Sequence, residues 1–88
     1  MITRTATIAS SVGLHARPAA IFAKAAADTD LDITISLGDE EADAASVLEV
    51  MTLGAKHGDE VTLSCEDDGA EAALDSLVDL LGRDLDKE

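Results

Sequence analysis

Hydrophobic spacing in this chain switches repeatedly between a period of two and a period of three to four, and that alone limits it to a layer of strands covered by helices. Ile2, Ala6 and Ile8 alternate with Thr3, Thr5 and Thr7, whose β-branched side chains favour a strand. From Ala16 the spacing becomes helical, through Ala19, Phe22, Ala23 and Ala26, with Pro18 suited to a first turn. Leu31, Ile33, Ile35 and Leu37 alternate again, and Gly38-Asp39 predicts a hairpin into a short strand around Glu41 to Asp43. Ser46 to about Thr52 reads as a short helix opened by a capping box with Glu49 and stopped by Gly54. Lys56-His57-Gly58-Asp59 is a turn, followed by a strand in which Val61, Leu63 and Cys65 alternate with Thr62 and Ser64. Asp67 or Asp68 is expected to cap a last helix with an apolar stripe of Ala70, Ala73, Leu74, Leu77, Val78, Leu81 and Leu85, and Gly82 is expected to mark where that helix begins to fray. The order β-α-β-β-α-β-α suits an antiparallel sheet with helices on one face.

Eighty-eight residues make a single domain, 1–88, with no room for a deep cleft or a large cofactor cavity. Function therefore belongs on the surface, in a loop or at a helix end. Phe22 is the sole aromatic residue, so aliphatic side chains must fill the core. Nineteen acids against six bases give a net charge of −13, which argues against nucleic acid and against anionic membrane surfaces. The acids are spread along the chain, so they repel one another unless salt screens them; a salt-rich cytoplasm is the setting this predicts. A single Cys65 forms no intrachain disulfide, no signal-peptide pattern or membrane span is present, and a cytoplasmic monomer is expected. No metal-loop spacing occurs among the acids, so no metal or cofactor is expected.

The chemistry concentrates in one segment, Gly13-Leu14-His15-Ala16-Arg17-Pro18-Ala19. His15 stands one residue ahead of a helix, where the first N–H groups lack intrahelical acceptors and the dipole is positive. An anion on the imidazole would meet amide donors at Ala16 and Arg17, and the Arg17 guanidinium can fork onto phosphoryl oxygens. Gly13 lets the backbone bend close to the site, and Leu14 is placed to anchor the loop in the core.

That segment resembles the active-site signature of HPr, the histidine-containing phosphocarrier of the phosphoenolpyruvate-dependent sugar phosphotransferase system. Ser46 through Gly54 is similar to the family's second motif, around a regulatory serine, and the likeness in length and element order spans essentially the whole chain. The resemblance implies an open-faced β-sandwich of the α+β class, with a four-stranded antiparallel sheet and three helices on one side. It implies that enzyme I phosphorylates His15 on Nδ1, that Arg17 assists transfer, and that a IIA domain of a sugar permease takes the group. It places Ala20, Leu48 and Met51 where partners dock, and it matches Ser46 to a serine that an HPr kinase phosphorylates in some members of the family.

Two departures bear on that expectation. Val12 stands where many relatives carry a small polar residue, leaving Ser10 or Ser11 to supply any hydrogen bond there. Ala27 and Glu49 replace lysines of some relatives while Lys24 remains, so docking is expected to lean on apolar contact around Leu48 and Met51. Ser46 is also explained by its cap alone. His57 lies in a polar turn and needs no function. The alternative within the same chemistry is a regulatory paralogue serving a nitrogen-related or kinase-linked branch. An acyl phosphate hydrolase would need a positioned Asn, and the chain has none. A regulatory binding module without phosphate chemistry leaves His15, Arg17 and Pro18 unexplained.

Overall fold

A computed structural model describes residues 1–83. Its elements are β1 (Ile2–Thr7), α1 (Ala16–Asp28), β2 (Ile33–Leu37), β3 (Glu40–Asp43), α2 (Val47–Leu53), β4 (Glu60–Cys65) and α3 (Glu71–Leu81). The strands form one antiparallel sheet in the order β1-β4-β2-β3. The three helices share one side of it: α3 lies over β1, α2 beside β3, and α1 packs against both helices. This is the α+β open-faced sandwich that the resemblance implies.

Register explains why one face is covered and the other open. Ile2 and Ile33 flank Cys65, Ile35 and Arg4 flank Leu63, and Ala6 opposes Val61, so the apolar partners line up across strands on the helix side. The opposite pleat brings together Thr3, Ser64, Thr34 and Asp43, and then Thr5, Thr62, Ser36 and Glu41. Small β-branched and hydroxyl residues tolerate water on that face while keeping the strand geometry. Phe22, Ile8, Ile33, Ile35, Leu63 and Leu74 are the largest fully buried side chains, with the alanines of α1 letting that helix approach closely. Arg4 interrupts the inward apolar row of β1, and the edge position resolves the conflict. Its Nε donates to Asp75 Oδ1 on α3 at 2.8 Å, in solvent rather than in the core.

Several local expectations are corrected. The α3 N-cap is Ala70, with no side-chain cap, rather than Asp67 or Asp68. Asp67 is already used in its own turn, where Oδ1 accepts from Gly69 N at 2.8 Å and its carbonyl from Ala70 N at 3.2 Å. That short-range Asx bond outcompetes a cap further along the chain. The capping box at α2 is half formed. Ser46 Oγ accepts from Glu49 N at 3.3 Å, but Glu49 Oε1 accepts from Asp43 N at 3.2 Å instead of from Ser46 N. The Ser46 amide is occupied by Asp43 O at 3.0 Å, so the carboxylate serves the next free donor. Gly54 closes α2 at a φ of 74°, as its position suggested. Gly82 caps α3, its amide donating to Val78 O and Asp79 O, and the helix ends at Leu81. Leu85 lies outside the described residues. None of the helices among them is long and apolar enough to cross a membrane.

Candidate functional site

The segment from Ile8 to Leu14 runs from β1 to α1 and is held in place by two other parts of the chain. Ile8 N donates to Asp59 O at 2.9 Å, and Gly58 N returns a bond to Ile8 O at 2.8 Å. Ala9 N donates to Leu81 O at the end of α3, at 3.1 Å. Leu14 N donates to Ala55 O at 2.9 Å, and the Leu14 side chain is buried in the core as expected. The loop is thus stapled to the Ala55–Asp59 turn and to the last turn of α3, and His15 emerges from a fixed base.

Gly13 is where that stapling is tightest. Its φ is 73°, and a Cβ there would stand 2.5 Å from Ala55 O and 2.9 Å from Lys56 Cα. Both the left-handed backbone and the contact with another backbone therefore require glycine. The bend expected of Gly13 has a more definite purpose than flexibility: it seats the loop directly on the Ala55-Lys56 peptide.

His15 is the N-cap of α1, with extended backbone at φ −112° and ψ 167°, and its side chain makes no cap hydrogen bond. No acid occupies the first turn of α1. Pro18 has no N–H, and Ala19 N is taken by His15 O at 3.1 Å. The donors left at the helix start are the amides of Ala16 and Arg17, which have no intrahelical acceptor. His15, Ala16 and Arg17 are all exposed, so an anion carried on the ring has open access to both amides and to the guanidinium.

Exposed apolar residues occur on the loop before α1 and on α2. Val12 is 53% exposed, and Leu48 on α2 is 74% exposed. Ala20 is exposed on α1, whereas Met51 is half-buried and packs partly against the core. The helices that carry Ala20, Leu48 and Met51, α1 and α2, pack side by side. Of the two hydroxyls suggested as substitutes at the Val12 position, Ser11 is exposed; Ser10 is buried, and its Oγ has no partner among the described residues. Ser46 is half-buried at the head of α2, with its hydroxyl engaged by Glu49 N.

Sequence reasoning did not anticipate that the Ala55–Asp59 turn touches the His15 loop. The paired glycines Gly13 and Gly58, both at positive φ, are the only trace of that contact in the sequence. A lysine thereby comes against the loop: Lys56, exposed, with its amide held by Asp59 Oδ2 at 2.9 Å.

Comparison with known proteins gives a consistent picture. The family model described as "PTS HPr component phosphorylation site" matches residues 2–83. The phosphocarrier protein HPr of Streptomyces coelicolor is 42% identical, covering 99% of this chain and 95% of the relative. HPr of Haloferax volcanii is 46% identical, covering 89% of this chain and 90% of the relative. Among solved structures, HPr of Thermoanaerobacter tengcongensis superposes with a TM-score of 0.89 at 36% identity, over 100% of this chain and 99% of that one. A dimer of the same protein gives a TM-score of 0.69 at 38% identity, over 92% and 93%.

Proposed function

This chain belongs to the HPr family of phosphocarrier proteins, and on that premise we propose that His15 accepts a phosphoryl group from phospho-enzyme I and passes it to a IIA domain of a sugar permease. Phosphoenolpyruvate is the ultimate donor. The observation that carries the reading is the open start of α1, an exposed histidine without a cap bond, ahead of two free amides and an arginine.

Chemically, a bond forms from His15 Nδ1 to phosphorus as the bond from phosphorus to the donor group breaks. The three phosphoryl oxygens then face the Ala16 and Arg17 amides and the Arg17 fork, which stabilise the charge without forming a bond themselves. Transfer to the acceptor reverses the sequence and returns His15 to its starting state. The protein is a stoichiometric participant in two transfers rather than an enzyme that turns over. It acts in the cytoplasm as a monomer, which its like-charge repulsion favours.

Partners dock over Ala20, Leu48 and Met51, of which Ala20 and Leu48 are exposed and Met51 half-buried. Ser46 is accounted for by its cap on α2. Modification by an HPr kinase would displace that bond and set a phosphate beside Glu49.

Incubation with phosphoenolpyruvate and enzyme I tests the reading. The expected product is an acid-labile, base-stable phosphoryl group that is absent from His15→Ala. No label, or label on the variant, rejects it. Passage of the group to a nitrogen-related acceptor but to no sugar IIA domain would move the protein to the regulatory branch. Sedimentation at working concentration checks the monomer.

A further inference from the structure

Positive charge is scarce in this molecule, and among the described residues two side-chain cations without an ion pair flank one loop. Of the six Lys and Arg residues, Arg4, Lys24 and Arg83 are ion-paired with Asp75, Asp28 and Asp79. Lys87 lies outside the described residues. Arg17 and Lys56 remain, and neither makes an ion pair among the described residues. Far apart in sequence, they flank the same loop. Arg17 follows His15 on α1, and Lys56 has its Cα 2.9 Å from where a Gly13 Cβ would stand. Leu14 N, one residue before His15, is bonded to Ala55 O, the carbonyl that leads into Lys56.

The turn that holds Lys56 needs only its backbone. Lys56 N donates to Asp59 Oδ2 at 2.9 Å, and Lys56 O accepts from Asp59 N at 2.9 Å. The side chain is exposed and serves no bond of the fold. In a chain of net charge −13 the surface carboxylates repel a new dianion, and a local cation offsets that repulsion.

We propose that Lys56 is a positioning residue for the phosphoryl group on His15, a second cation that faces it from the side opposite Arg17. This rests on the carrier reading. No bond forms or breaks at Lys56. Its ammonium acts as a mobile point charge, whereas the Arg17 fork and the helix amides fix the oxygens. His57 and Asp59 share its turn, and His15 and Arg17 follow the loop that the turn is seated on.

A ³¹P titration reads the charge beside phosphohistidine directly, and a purely structural role would leave it unmoved. The protein is loaded chemically with potassium phosphoramidate, in a His57→Gln background so that no second histidine takes the group or titrates alongside it. Signal from His15 is identified by its loss in His15→Ala. A nearby cation favours the dianion, so Lys56→Met is expected to raise the phosphoryl midpoint by about half a pH unit, the effect of one charge several ångström away in water. Lys56→Arg restores the original midpoint. Lys24→Met, which removes an equal charge already paired with Asp28, leaves it in place. An unchanged midpoint in Lys56→Met overturns the proposal, as does an equal shift in Lys24→Met. A background protein that takes no phosphoryl group at His15 overturns this proposal and the carrier reading together. Loading by phosphoramidate but not by phospho-enzyme I overturns the carrier reading alone.

Discussion

α1 and α2 lie side by side, and each begins at a polar residue in extended backbone, yet their starts are chemically opposite. At α2 the Ser46 hydroxyl caps the Glu49 amide, Glu49 brings an acid into the first turn, and its carboxylate is itself bonded to Asp43 N. Every easy place for an anion is filled from within. At α1 the histidine caps nothing, no acid is present, and Pro18 removes one donor while two remain open. A helix start that stabilises itself is a poor place to receive a charged group. One that leaves its amides unsatisfied gives up about 1 kcal/mol of capping in return for a receptive site.

The strongest way to break this contrast is to unseat the α1 start. Gly13→Ala should destabilise the fold by about 3 kcal/mol, since it adds left-handed strain to a collision with the Ala55-Lys56 backbone. Gly54→Ala, at almost the same φ but with nothing nearer its Cβ than Thr52 O at 3.9 Å, should cost only about 1 kcal/mol. Urea denaturation of both variants measures the difference, and equal losses would show that the contact under the His15 loop has no energetic weight.

Ser46→Ala should cost about 1 kcal/mol through loss of the cap, read in the same experiment. Raising KCl from about 0.1 M to about 2 M should lift Tm by a few degrees, equivalent to under about 1 kcal/mol, as the unpaired acids are screened. A flat or falling Tm rejects the salt-rich setting. The smallest effect belongs to His15→Ala, whose stability should stay within about 0.5 kcal/mol of the parent while the proposed phosphoryl uptake disappears. A large loss there would mean that His15 supports α1 after all, and the contrast between the two starts would fail.

Much of this was legible along the chain because it depends on neighbours in sequence. Period-two alternation located the strands, and Ser46 and Gly54 bracketed α2, because side-chain direction and caps are decided within a few residues. The competition among short-range bonds was harder to read. Asp67 spent its carboxylate on Gly69, and Glu49 reached Asp43, because several donors lay within range and only the folded geometry ranked them. Arg4 falls in the inward apolar row of β1, and the edge position of that strand gives it Asp75 in solvent.

By itself the sequence determined the element types, the buried faces and the segment that places His15 and Arg17 at one helix start, all consequences of local sterics and periodicity. Tertiary structure alone decided the strand order β1-β4-β2-β3, the seat of Gly13 on the Ala55-Lys56 peptide, and the approach of Lys56 to the His15 loop. The reason is that loop-closure entropy changes slowly with length, so spacing along a chain barely distinguishes one distant partner from another. Those choices are made by which apolar faces pack and which backbone groups meet once they do.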